Sequence, residues 1–213
     1  MPWAKLSTVQ SEAYGIPSSH ARVASEAIVI PTTSPHKLNH RANLWALKEI
    51  GASHIIGTSS TGSLKKTIHP GTFVVPDDFV AFWNVPTFFD DRVVHSTPSL
   101  DATLRRALVG AAKESGASVK DGGAYVQTTG PRLETRAEIA FFKKVGDVVG
   151  MTMASEATLA CELGIPYASL CTVDNFAHGI VDEPLTFEAI RKTQRENAAL
   201  TRTVVAKALG LLR

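Results

Sequence analysis

Cysteine is scarce in this chain. There are two in 213 residues, Cys161 and Cys171, with no CxxC or Cys/His companion. A disulfide framework and a thiolate metal site are thereby excluded, and a reducing compartment fits best. Long apolar runs are missing too: no stretch approaches the roughly 20 apolar residues that a membrane helix needs. The first residues, MPWAKLSTVQSEAYG, are polar where a secretory leader would be apolar. Neither charge dominates, with 22 Lys and Arg against 20 Asp and Glu spread along the chain, so neither nucleic acid nor a membrane is the expected partner. Internal repeats and low-complexity linkers are absent. With 44% apolar residues the chain can bury one substantial core. The expectation is a single cytoplasmic domain, 1–213, that takes a small molecule and needs neither metal nor organic cofactor.

What is present alternates. Ala27–Ile30, closed by Pro31, predicts a buried strand, and a helix follows from about His36 to Ile50. Its positions Leu38, Ala42, Trp45, Ala46 and Ile50 fall on one 3.6-residue stripe, and Gly51 stops it. Strand His54–Gly57, a hydroxyl-rich loop Thr58–Ser63 and strand Thr72–Val75 come next. Phe82–Pro98 reads as a long ordered loop, and Ser99 as the N-cap of a helix to Ser115. Strand Ala124–Thr128, helix Glu134–Val145 and strand Val148–Val149 follow. Helix Ser155–Leu163, strand Tyr167–Val173 and a last helix from about Thr186 to Leu209 complete the pattern. This is α/β: a central mixed, mostly parallel sheet flanked by helices. Ligands in such sheets bind beyond the carboxyl ends of the strands. The loops expected there are TSSTGS (58–63), TGPRLE (129–134), GMTM (150–153) and VDNFAHG (173–179).

Each of these loops has a functional and an ordinary reading. TSSTGS can turn hydroxyls and backbone N–H groups onto an anion, or simply cap its own turn. Glu134, at a predicted helix start, either matches the helix dipole or accepts from the N–H groups of a flat heterocycle. Asn175 offers the donor and acceptor that the N7/O6 edge of a 6-oxopurine requires. His178 is a candidate general acid or an incidental loop histidine, and His95 has no more pattern behind it. Thr152 supplies a hydroxyl, and Met151 an adaptable apolar surface.

In order and spacing, PHKLNHRANLWALKEIGASHIIGTSSTGSL, FFDDRVVH, GPRLETRAE and VVGMTMASEATLACELGIPYASL resemble the trimeric purine nucleoside phosphorylase / methylthioadenosine phosphorylase family from Pro35 to about Asn175. The resemblance implies an α/β sandwich whose sites are completed across trimer interfaces. It also implies a pentosyltransferase in which phosphate attacks the anomeric carbon of a nucleoside and the purine leaves. The oxocarbenium-like transition state demands charge stabilisation on the base and an anion beneath the sugar. Carried over, Ser59, Ser60 and Thr152 match phosphate-contacting positions, and Met151 matches the residue under the ribose. His95 matches a histidine lent to the neighbouring subunit. Glu134 and Asn175 match the pair gripping a 6-oxopurine, where 6-aminopurine members usually carry Ser and Asp. Phe187 falls near the residue facing the 5′ substituent, where an apolar side chain suits a methylthio group.

The departures concern the phosphate half. The resemblance starts near YGIPS, at 14–18, without the family's first strand and glycine-rich phosphate loop. Between AIVIP and TTSPHK an Arg-His-Gly motif is missing, and the only nearby candidates are His20 and Arg22, ahead of the strand. Losing a bidentate arginine–phosphate contact costs on the order of 2–5 kcal/mol, or roughly 30- to 4000-fold. The leading expectation is an N-terminally shortened enzyme that cleaves or recognises a 6-oxopurine nucleoside such as inosine, guanosine or 5′-methylthioinosine. Phosphate is then a possible co-substrate at an incomplete site, and water could replace it. One rival is a repurposed scaffold in which Asp174, Asn175, His178, Glu134 and His95 run acid–base chemistry on an unrelated small molecule. The other is a non-catalytic binding protein. The implied assembly is a homo-oligomer, with a trimer favoured.

Overall fold

The computed structural model describes residues 22–24, 27–29, 35–83 and 85–212. Residues 1–21 and the Thr32–Ser34 stretch, with the YGIPS segment and His20, lie outside them. A ribbon of β1 (Arg22–Ala24) and β2 (Ala27–Val29) precedes α1 (His40–Glu49), β3 (Ile55–Ser63), β4 (Phe73–Val75) and β5 (Asp78–Ala81). Then come α2 (Ala102–Glu114), β6 (Val119–Asp121), β7 (Ala124–Gln127) and α3 (Arg136–Phe142). Strand β8 (Val148–Gly150), α4 (Met153–Leu163), β9 (Tyr167–Phe176) and α5 (Phe187–Gly210) close the order.

Seven strands form one sheet in the order β5-β7-β8-β3-β9-β4-β6. Its pairs β5/β7, β7/β8, β3/β9 and β4/β6 are parallel, while β3/β8 and β4/β9 are antiparallel. The sheet is therefore mixed and mostly parallel, flanked by helices, as the alternating pattern predicts. Ile55, Tyr125, Val148, Tyr167, Cys171 and Val173 pack toward α1 and α4. On the other face, Phe73, Val75, Ala168 and Leu170 meet α2 and α5 through Leu104, Leu108, Val204 and Ala208. Ile139 and Phe142 of α3 cover Val126, Val149 and Leu64.

Three expectations need correction. Thr58–Ser63 is no loop: β3 carries on through it, paired with β9 along its length, and Ser59 and Thr61 to Ser63 are buried, where a backbone must pair. Likewise β9 carries on to Phe176 and takes Asp174 and Asn175 out of the predicted loop. Helix starts also shift with the residue that caps them. Asp101, not Ser99, accepts the Leu104 N–H at 2.8 Å and starts α2. Asn39 starts α1, after a single 3-10 turn at Pro35–Lys37. Thr135 and Glu138 form a reciprocal capping box, so the first-turn carboxylate of α3 is Glu138, and Glu134 stands outside the helix.

Strands β3 and β9 run in register from Ile55↔Tyr167 to Thr61↔Val173, and then slip, so that Gly62 faces Asn175. Asp174 is the extra residue of a β-bulge. One strand over, Gly62 also pairs antiparallel with Val149 of β8. The predicted loops meet at this crossing rather than along a single edge of a parallel sheet.

A buried pair beneath β3 predicts a pH effect. Tyr167 Oη donates to Glu156 Oε2 at 2.7 Å, and burial pushes the Glu156 carboxyl up to about 7. Because the folded state holds this proton more tightly than the unfolded chain, stability is expected to fall as pH rises from about 4.5 to about 7 and to level off above. The slope is on the order of 1 kcal/mol per pH unit within that window. Asp174, also raised by burial, adds in the same direction. Urea midpoints across pH 5–8 should show a shallower slope in Glu156→Gln; an unchanged slope refutes the assignment.

Candidate active site

Glu134 lies between the bend at Gly130–Leu133 and the Thr135 cap, and is 9% exposed. Its Oε1 accepts from Thr128 Oγ1 at 2.6 Å. Among the described residues no donor reaches its other oxygen. The carboxylate lines a cleft of about 270 Å³ shared with Trp83, Thr128, Thr129, Gly130, Arg132 and Phe142. On the rim Arg132 grips Glu138 through two contacts, at 2.8 and 2.6 Å. That holds the Glu138 carboxyl down at about 2 and leaves Glu134 without an ion-pair partner among the described residues. A half-satisfied carboxylate at the wall of a cleft suits an N–H donor on a planar ligand.

His178 is tied down at both ring nitrogens. Nδ1 lies 3.3 Å from the Glu134 carbonyl, and Arg136 Nε donates to Nε2 at 3.3 Å. The proton therefore sits on Nδ1, and the imidazole braces the segment after β9 against the Glu134 turn. Asn175 is placed at the bulge. Its Nδ2 donates to the Phe176 carbonyl at 2.8 Å and lies 3.1 Å from where a Gly62 Cβ would be, so a larger residue at 62 would crowd this amide.

Ser59 and Ser60, predicted to serve one anion, point to opposite faces of β3, as neighbours in a strand must. Ser59 Oγ lies 3.2 Å from Tyr125 Oη and 3.4 Å from Thr152 Oγ1, while the Thr152 N–H donates to Tyr125 Oη at 3.1 Å. This cluster stands at the N-terminus of α4, where Thr152 makes no side-chain cap and keeps its hydroxyl available. An anion is favoured there by the helix end and the two hydroxyls. Met151 packs on Gly130, where a Cβ would come within 2.5 Å of the Met151 sulfur. Tyr125→Phe strips a buried hydroxyl from Ser59 and from the Thr152 amide, so a loss of about 1–2 kcal/mol is expected in urea unfolding. Wild-type stability in that variant refutes the link.

On the opposite face, Ser60 Oγ accepts from Gln194 Nε2 at 2.8 Å. Asp174, 2% exposed, receives Thr172 Oγ1 at 3.1 Å and Asn197 Nδ2 at 3.3 Å, beside the Gln194–Ser60 pair. Burial raises its carboxyl while the polar side chains around it oppose the rise.

The structure thus brings His178 to the Glu134 turn, Ser59 to Thr152, and Ser60 to Gln194, and it sets Asn175 at the bulge opposite Gly62, apart from the residues that line the Glu134 cleft. It leaves two candidates apart. His95 is exposed and lines a separate groove of about 570 Å³ with Arg92, Thr158 and Glu162. Phe187 is 62% exposed at the start of α5 beneath Arg191, 4.9 Å from its ring centroid.

Tyr125, Gln194, Asn197 and Trp83 escaped the sequence reading. Tyr125 was hidden inside an apolar strand. Gln194 and Asn197 did carry a signal: both fall on the stripe Ile190, Ala198, Thr201, Val204, Ala208 that α5 buries, where a polar residue calls for a partner. Trp83 lies in the loop before α2, and no periodicity marks it.

The sequence description of the phosphorylase superfamily matches residues 22–210. A protein of Archaeoglobus fulgidus named a probable 6-oxopurine nucleoside phosphorylase is 44% identical over 176 residues, 82% of this chain and 72% of that one. A probable S-methyl-5′-thioinosine phosphorylase of Methanothermobacter thermautotrophicus is 48% identical over 161 residues, 73% of this chain and 56% of its own. Among solved structures, the Q289L mutant of the adenosine/methylthioadenosine phosphorylase of Schistosoma mansoni, in complex with adenine, superposes with a TM-score of 0.74. It is 28% identical and is matched over 84% of this chain and 72% of that one.

Proposed function

Since the chain belongs to the phosphorylase superfamily, we propose that it cleaves a 6-oxopurine nucleoside, of the inosine, guanosine or 5′-methylthioinosine type, with phosphate as nucleophile. The single observation that carries the base assignment is Glu134, a buried carboxylate satisfied on one oxygen by Thr128 and open to the cleft on the other. An ionised carboxylate accepts only, so it selects a base with N1–H and disfavours an adenine, whose N1 is an acceptor. The names of the two relatives, 6-oxopurine and thioinosine phosphorylases, support the same choice.

In this reading a phosphate oxygen bonds to C1′ as the C1′–N9 bond breaks, and the electron pair flows into the purine. Asn175 takes the N7/O6 edge and stabilises the charge that develops there, while Glu134 holds N1–H. Ser59 and Thr152 hold the anion, helped by the N-terminus of α4, and Met151 packs under the sugar. His178 positions the Glu134 turn. His95 and Phe187 act across a homotrimer interface and at the 5′ substituent, and the enzyme works in the cytoplasm. The exposure of both side chains, away from the Glu134 cleft, supports a role that a second subunit completes.

Product analysis tests the proposal: inosine, guanosine and 5′-methylthioinosine, each with and without phosphate. Free base together with pentose 1-phosphate, appearing only when phosphate is supplied, is the expected result. Equal base release without phosphate makes the chain a hydrolase, and no base in either condition overturns the reading.

A further inference from the structure

Asp174 sits at a point where the sheet breaks its own alternation. Up to Val173, β9 alternates regularly: Tyr167, Cys171 and Val173 face α1 and α4, while Ala168 and Leu170 face α2 and α5. Continued without interruption, Asn175 would join Val173 on the α4 side. The register slip at Asp174 instead places it opposite Gly62, whose other neighbour is Val149 and whose missing Cβ would touch Asn175 Nδ2, Val149 Cγ1 and Ala177 Cβ. A one-residue slip carries a side chain to the other face of a sheet. Asn175 owes its orientation to the bulge.

A bulge needs something to hold it, since the extra residue has no ladder partner. Here its side chain is held instead. The Asp174 carboxylate is buried, has no cationic partner among the described residues, and accepts from two elements: the Thr172 hydroxyl of β9 and the Asn197 amide of α5. Beside them Gln194 of α5 donates to Ser60 of β3 at 2.8 Å, a second tie between the helix and the sheet. Helix α5 is in turn fixed on α2 and β9 by Val204 and Ala208. The donors converge on the one residue that the ladder leaves out.

We propose that Asp174 is a positioning residue: its carboxylate, held by Thr172 and the α5 amide of Asn197 beside the Gln194–Ser60 tie, sets the bulge that turns Asn175 toward the base of the substrate. This rests on the proposed nucleoside chemistry for its kinetic expression, though not for its geometry. Gln194 and Asn197 thereby become part of the site from a distance, and Ser60 serves the tie to α5 rather than the anion.

The test is a double-mutant cycle with Asp174→Asn, which keeps the shape, and Asn175→Ala, read as kcat and KM for inosine phosphorolysis. Asp174→Asn is expected to lower kcat about tenfold or more with KM for inosine changed less than threefold. In the Asn175→Ala background the same substitution should have almost no further effect, because two residues acting through one contact are not additive. Equal factors in both backgrounds overturn the proposal, since a merely structural Asp174 would act independently of Asn175. A wild-type chain inactive on every nucleoside sinks the proposed function alone. The inference is then decided by a crystal structure of Asp174→Asn, with Asp174→Ala as second variant. A lost or shifted 173–175 register sustains it, and an unchanged register with Asn175 in place overturns it.

Discussion

Gly57→Ala should destabilise the protein by about 4 kcal/mol. A Cβ at this position would lie 2.1 Å from Tyr167 Oη and 2.9 Å from Glu156 Oε2. Tyr167 is a rigid ring, 2% exposed, and its hydroxyl is already bonded to Glu156, so it cannot swing aside as a flexible chain end would. Overfilling a packed interior costs about 1–3 kcal/mol. Displacing Tyr167 adds about 1–3 kcal/mol for leaving its hydroxyl and the Glu156 carboxyl unmatched. Against a typical total of about 5–15 kcal/mol, that is a large share. Urea unfolding measures it directly, and a loss below about 1 kcal/mol shows that the contact relaxes freely. Gly110→Ala, in α2 with nothing within 4 Å of its added Cβ, is the matched control.

Glu134→Gln should lower kcat/KM for inosine about 10- to 150-fold, the equivalent of the roughly 1.5–3 kcal/mol carried by a hydrogen bond to a charged group. The substitution preserves volume and lets the amide oxygen take the Thr128 hydroxyl, so the urea midpoint should stay at the wild-type value. The exchange also turns a pure acceptor into a donor toward the cleft. Adenosine, whose N1 accepts, should therefore gain relative to inosine, and the ratio of the two kcat/KM values should move by more than either alone. Undiminished inosine turnover would remove Glu134 from the base site.

Much of the fold could be read from local chemistry. The helices followed their apolar stripes and the glycines that stop them, because both are written in neighbouring residues. The strands β5 and β6 were missed: at three or four residues each they carry no period, and only pairing with β7 and β4 defines them. Reading Thr58–Ser63 as a loop misjudged a stretch whose hydroxyls look soluble but whose backbone pairs with β9 throughout. The site divides along the same line. Glu134 and Asn175 stand out by residue type in their motifs. The separation of Ser59 from Ser60 follows from strand geometry alone once the strand is known. The bulge at Asp174 is a relation between β3 and β9, and no inspection of either segment by itself could show it.

That same pairing governs the order in which the molecule can be assembled. Its first rung joins Ile55 to Tyr167, residues 112 positions apart. The α2, α3 and α4 segments lie between them in the chain. Contacts of such separation are formed late and slowly, because a long loop must close before they repay it. A nascent chain in which β9 has not yet been synthesised leaves one flank of β3 open along its length. The centre of the sheet, where the candidate site lies, is then the last region to become native, and the period before β9 arrives is when exposed strand edges are most prone to pair wrongly.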